Sequence, residues 1–115
     1  SILFKGMEGS VIPVPVAHGE GRAEVSSKSL KALNEKFTSI SYADHAGEKT
    51  EKYPMNPNGS TNGIAGVTNE NGRVTIMMPH PERAFLNDQY SWCPEEWQNY
   101  SPWIKLFLNA REFID

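Results

Sequence analysis

The pair Asn71-Gly72 constrains this chain more than any other feature. It lies between two runs rich in β-branched and apolar residues, 64–69 and 73–78. Asn-Gly tolerates positive φ at both central positions of a hairpin turn, so the two runs are expected to pair as antiparallel strands. The second run, Arg73-Val74-Thr75-Ile76-Met77-Met78, leads straight into Pro79-His80-Pro81-Glu82-Arg83.

That continuation carries the candidate chemistry. Residues two apart in an extended chain project from the same side of the backbone. Pro81 fixes its own φ and pushes His80 toward extended conformations. An imidazole and a carboxylate are thus expected side by side at the end of a strand. The Glu82 carboxylate would accept from one ring nitrogen and set the tautomer, leaving the other nitrogen to take a proton from a nucleophile. Alone, the tripeptide is short enough to arise by chance, and its company must decide.

The rest of the chain reads as follows. Residues 11–17 are valine-rich, but prolines at 13 and 15 cannot donate to a ladder, which leaves an edge strand or an extended segment. His18-Gly19-Glu20-Gly21-Arg22 is a glycine loop, and 23–25 are expected to resume the strand. Ser26-Ser27 offers an N-cap for a helix over 28–36, with Leu30, Leu33 and Phe37 on one apolar face. Residues 39–43 read as a strand, Gly47 as a turn and 49–53 as a partner strand. Asn56-Pro57-Asn58-Gly59-Ser60 with Asn62-Gly63 is a cluster of turn formers that suits no regular element. Residues 84–100 are polar, aromatic and irregular. A final helix is capped by Ser101, with Pro102 at its first position and Trp103, Leu106, Phe107 and Ala110 on one face.

Composition excludes several classes. With 115 residues there is room for one small domain. Eleven basic against fourteen acidic residues give a net charge of −3, and no basic run is present, so neither nucleic acid nor membrane is expected as a partner. The apolar runs fall far short of the ~20 residues that span a bilayer. Ser1-Ile2-Leu3-Phe4-Lys5 lacks the pattern of a secretory signal. Cys93 is the one cysteine, so no intrachain disulfide can form, which suits a reducing compartment and makes cytoplasm the default. A chain that starts at Ser1 and soon enters residues 11–16 is expected to be cut from a larger protein, a native N-terminus being the alternative.

Several segments together point to a family. Met77-Met78-Pro79-His80-Pro81-Glu82-Arg83 resembles the segment of class I, triad-type glutamine amidotransferases that supplies the histidine and glutamate of a Cys-His-Glu triad. Ala17-His18-Gly19-Glu20-Gly21-Arg22 and Asn56-Pro57-Asn58-Gly59-Ser60 resemble two segments of one branch, the formylglycinamide ribonucleotide amidotransferases (phosphoribosylformylglycinamidine synthases) of purine synthesis. Ser101-Pro102-Trp103 with Asn109-Ala110-Arg111 resembles the C-terminal helix of the long, single-chain form. The resemblance runs from about Gly6 to Arg111.

It implies an α/β fold: the C-terminal portion of a flavodoxin-like class I glutamine amidotransferase domain, a mixed sheet with a β-hairpin and a C-terminal helix. Residues 1–115 would be a single partial domain. It implies His80 as general base and Glu82 as its orienting partner. The whole enzyme would use ATP and magnesium, with ammonia taken from glutamine and carried through a channel to a synthetase site. No cofactor would sit on this piece. Its partners would be glutamine, bound together with the missing N-terminal half, and the synthetase domain; the piece is also expected to self-associate.

The departure is that this sequence has no glycine-flanked nucleophile elbow. Cys93 lies C-terminal to His80 in Ser91-Trp92-Cys93-Pro94, where the following proline opposes a helix start, and reads as a small hydrophobe in an aromatic loop. The piece alone is therefore expected to be inactive. His18 either lines the synthetase interface or satisfies a core hydrogen bond. His45 reads as a solvated turn residue, and the tryptophans as packing anchors. His18, His45, His80 and Cys93 lack the spacing of a metal site. A free-standing glutaminase subunit of the same synthase, and a non-catalytic binding module of the same fold, are the alternatives.

Overall fold

The computed structural model describes residues 1–17, 19 and 21–115. The chain forms two compact units, one of Ser1 and residues 16–79, the other of residues 2–15 and 80–115.

The first unit is built on the hairpin. Strand β2 (Ile64–Thr68) pairs antiparallel with β3 (Thr75–Met77), placing Gly66 opposite Met77, Val67 opposite Ile76 and Thr68 opposite Thr75. The turn is longer than Asn71-Gly72 alone implies. Among its residues only Gly72 has positive φ, at 73°. Gly72 N–H donates to the Asn69 carbonyl at 3.0 Å, and Asn69 N–H donates to the Val74 carbonyl at 3.0 Å. The Val74 N–H turns to the Asn69 side-chain oxygen, at 3.0 Å. Because that carboxamide stands in for backbone, the ladder closes at Asn69 and Val74 and the loop needs one left-handed residue instead of two.

Strand β1 (Thr38–Ser41) lies on the other side of β2, also antiparallel, giving the order β1-β2-β3. All three described strands thus pair antiparallel. Gly66, in the centre of β2, has no room for a side chain: a Cβ there would stand 2.8 Å from Ile40 Cγ1. Ile64 and Ala65 are buried beside it, at 2% and 4% exposure.

Helix α1 (Ser27–Ala32) is capped as expected, with the Ser26 hydroxyl accepting from Ser29 N–H at 3.3 Å. It then widens into a π-helical turn, Leu33–Phe37. The Leu33 carbonyl accepts both the Thr38 N–H and the Thr38 hydroxyl, the latter at 2.9 Å, and this double capture ends the helix at the start of β1.

The expected partner strand at 49–53 is reduced to one antiparallel bridge, Ala43 to Lys49. Its backbone is committed locally. Lys52 N–H donates to the Thr50 hydroxyl at 3.1 Å, and the Lys52 carbonyl accepts from Asn56 N–H at 3.0 Å. Both edges of β2 are already occupied by β1 and β3.

In the second unit, residues 11–15 form no strand; the Pro13 carbonyl accepts from the Tyr90 and Trp103 side chains and the Pro15 carbonyl from the His80 backbone N–H. Helix α2 (Ile104–Ile114) follows Ser101, whose hydroxyl accepts from Trp103 N–H at 3.2 Å and itself donates to the Ala84 carbonyl. The buried stripe is Trp103, Leu106 and Asn109; Phe107, expected inside, is 39% exposed and touches Phe85 edge to face at 5.8 Å. The stripe is rotated because Asn109, polar and unnoticed in the apolar pattern, donates to the carbonyls of Leu3 and Lys5 at 2.8 and 2.9 Å. Among the described residues, no helix is long and apolar enough to cross a membrane.

Candidate active site

Within the second unit the site begins at His80, whose backbone is held before its side chain is considered. His80 N–H donates to the Pro15 carbonyl at 2.9 Å, and the His80 carbonyl accepts from Arg83 N–H at 3.0 Å. Pro81–Arg83 form a 3-10 turn with Pro81 at its first position, where a missing N–H costs nothing. Pro81 and Ala84 are buried and pin the turn.

The imidazole and carboxylate do meet: His80 Nδ1 lies 2.7 Å from Glu82 Oε1. The route differs from the expected one. His80 has φ −113° and ψ 77°, and Glu82 belongs to a helical turn rather than to an extended strand end. Pro81 allows this because its fixed φ suits the first residue of a helical turn as well as an extended chain. The turn then wraps Glu82 back beneath the ring.

The side chains are 31% and 56% exposed. The hydrogen bond from His80 holds the Glu82 carboxyl below its usual range; its own backbone N–H and the charges of His80 and Arg83 act the same way, against slight desolvation. With Nδ1–H given to the carboxylate, Nε2 is left as a proton acceptor. Such a pair can take a proton from a thiol, hydroxyl or water and hold the resulting imidazolium.

The other candidates are placed as follows. Cys93 is half-buried, ahead of a turn in which Trp97 N–H donates to the Pro94 carbonyl at 3.1 Å, and is not at a helix start. His45 is exposed in a turn whose Asp44 carboxylate accepts from Ala46 and Glu48 N–H. His18 and Glu20 lie outside the described residues. Of the tryptophans, Trp103 is buried and Trp97 packs edge to face on Tyr90 at 5.4 Å. Trp92, expected to be an anchor, is 77% exposed.

Two motifs of the first unit are brought together. The Asn58 carboxamide donates to the carbonyls of Gly19, at 3.4 Å, and Gly21, so residues 56–60 and the glycine loop touch. Asn56, 1% exposed, clasps its own loop: its amide donates to the carbonyls of Thr50 and Ser60 and its oxygen accepts from Ser60 N–H. An open groove of about 380 Å³ in the second unit, lined by Ile2, Lys5, Asn109, Glu112 and Phe113, shares no residue with the His80 pair.

Sequence reasoning missed the support behind His80: the carbonyls of Pro13 and Pro15, the phenol of Tyr90 and the indole of Trp103. The available signal was that a proline-broken strand keeps its carbonyl acceptors after it loses its donors.

Residues 1–114 match the family of CobB/CobQ-like glutamine amidotransferase domains. The chain belongs to that family. A glutamine amidotransferase domain draws ammonia from the side-chain amide of glutamine. The mixed α/β architecture, with its hairpin and C-terminal helix, agrees with a class I domain of flavodoxin-like fold.

Proposed function

We propose that this amidotransferase domain is the C-terminal part of the glutaminase domain of a phosphoribosylformylglycinamidine synthase of the long, single-chain form. In that reading it supplies ammonia for the ATP-dependent conversion of formylglycinamide ribonucleotide to the amidine. The observation that carries the reading is the 2.7 Å bond between His80 Nδ1 and Glu82 Oε1. The four sequence segments that resemble that enzyme add to it.

In the proposed mechanism His80 Nε2 takes the proton from a cysteine thiol borne by a segment outside these 115 residues. The thiolate adds to the glutamine amide carbon. The imidazolium, steadied by Glu82, then gives its proton to the departing nitrogen, and ammonia leaves a thioester that water hydrolyses to glutamate. This chain by itself is then a base without its nucleophile and hydrolyses no glutamine above background. Among the described residues no three His, Cys, Asp or Glu side chains gather as metal ligands. ATP and magnesium are assigned to the synthetase part, and cytoplasm is the proposed location.

The test uses the intact synthase with glutamine and then with ammonium chloride. His80→Ala should abolish the glutamine-dependent reaction and leave the ammonium-dependent rate near normal. Glu82→Gln should do the same less severely, by up to roughly four orders of magnitude, since the amide keeps the shape without stabilising the imidazolium. Equal loss of both activities in a folded His80→Ala protein would refute the triad assignment.

A further inference from the structure

Behind His80 lies a clamp made by three distant parts of the second unit. The Tyr90 hydroxyl donates to the Pro13 carbonyl at 2.7 Å, and the Trp103 indole N–H donates to the same oxygen at 2.8 Å. Two residues on, the Pro15 carbonyl accepts the His80 N–H at 2.9 Å. Between the Pro13 and Pro15 carbonyls the Pro15 ring fixes one torsion and its bulk confines Val14 before it to extended conformations, so displacement at the Pro13 oxygen is passed in large part to Pro15. On the far side of His80, Pro81 restricts its backbone in turn. The imidazole therefore stands where the Pro15 carbonyl puts it.

The donors are themselves fixed. Trp103 is buried at 6% exposure and its backbone N–H is held by Ser101. Tyr90 is braced edge to face by Trp97. Burial pushes the Tyr90 phenol up, so the hydroxyl stays a neutral donor at neutral pH.

We propose that Tyr90 is a positioning residue for His80, acting through the Pro13 and Pro15 carbonyls. The proposal rests on His80 being the general base. Removing the Tyr90 hydroxyl leaves the Pro13 oxygen bonded to Trp103, so the fold keeps its acceptor satisfied. What is lost is the second direction of restraint, and small displacements of a catalytic group cost rate rather than binding.

The test is Tyr90→Phe in the intact synthase. The glutamine-dependent kcat should fall about tenfold with KM within about twofold, the ammonium-dependent rate should hold, and Tyr90→Phe with Trp103→Phe should fall about a hundredfold, the scale of a 1 Å misplacement. An unchanged kcat in Tyr90→Phe, a rise in KM alone, or equal loss of the ammonium reaction would each overturn the proposal. His80→Ala in the same assay separates the two claims. If His80→Ala still uses glutamine, the reading of His80 fails; if it is dead while Tyr90→Phe is fully active, only the clamp fails.

Discussion

Glu82 is the residue whose behaviour most directly reports on the site. It is more than half exposed, so its hydrogen bond with His80 contributes little to global stability, and its value lies in fixing the ring. Its folded pKa is lowered, chiefly by His80. The sign follows: the interaction is fully present above the ordinary glutamate value of about 4.3 and is lost as pH falls through the lowered folded value. A carbon-detected NMR titration should place the Glu82 midpoint below that of an ordinary glutamate. In His80→Ala the midpoint should move back up. An unchanged midpoint would mean that His80 is not the cause.

At the scale of elements, two buried polar side chains matter as much as the apolar core. Asn56 holds the 56–60 loop with three hydrogen bonds, and Asn109 ties α2 to the carbonyls of Leu3 and Lys5. Asn109→Leu would complete an apolar stripe with Trp103 and Leu106, and by hydrophobic pattern alone should stabilise the helix. The opposite is expected. Two part-buried hydrogen bonds, to the carbonyls of Leu3 and Lys5, are lost, and the variant should be less stable by about 1–3 kcal/mol. Urea unfolding followed by tryptophan fluorescence measures this, and a variant as stable as the parent would show that water satisfies those carbonyls.

At the scale of the whole molecule, each unit leaves apolar surface uncovered. In the first, Val74 and Ile76 are 56% and 68% exposed on the hairpin, and Ile76 lies on β3, an edge of the described sheet. In the second, Leu108, Phe113 and Ile114 are 57%, 51% and 78% exposed on α2. An edge strand and an apolar helix face favour association. Sedimentation of this chain at micromolar concentration is expected to give a dimer or larger species. A single species of 12.9 kDa would argue against it.

The sequence by itself determined the local features. Ser26 caps α1, and Ser101 caps the turn that leads into α2, although the helix itself starts at Ile104 and not at Pro102. Asn71-Gly72 marks where the chain reverses, and Pro81 stiffens the backbone between His80 and Glu82. These depend on dihedral preferences and donors within a few residues, which a linear pattern records. Even there, the choice between an extended strand end and a 3-10 turn at Pro81 was open, because proline suits both. Only the tertiary structure decided the rest: that residues 49–53 form a bridge and not a strand, that Asn109 faces inward while Phe107 does not, and that Trp92 is left outside. It also decided what stands behind His80. The bonds from Tyr90 and Trp103 to Pro13 span 77 and 90 residues, and those from Asn109 span 106 and 104. Which donor reaches which carbonyl over such separations depends on the packing of whole elements, and no local pattern encodes it.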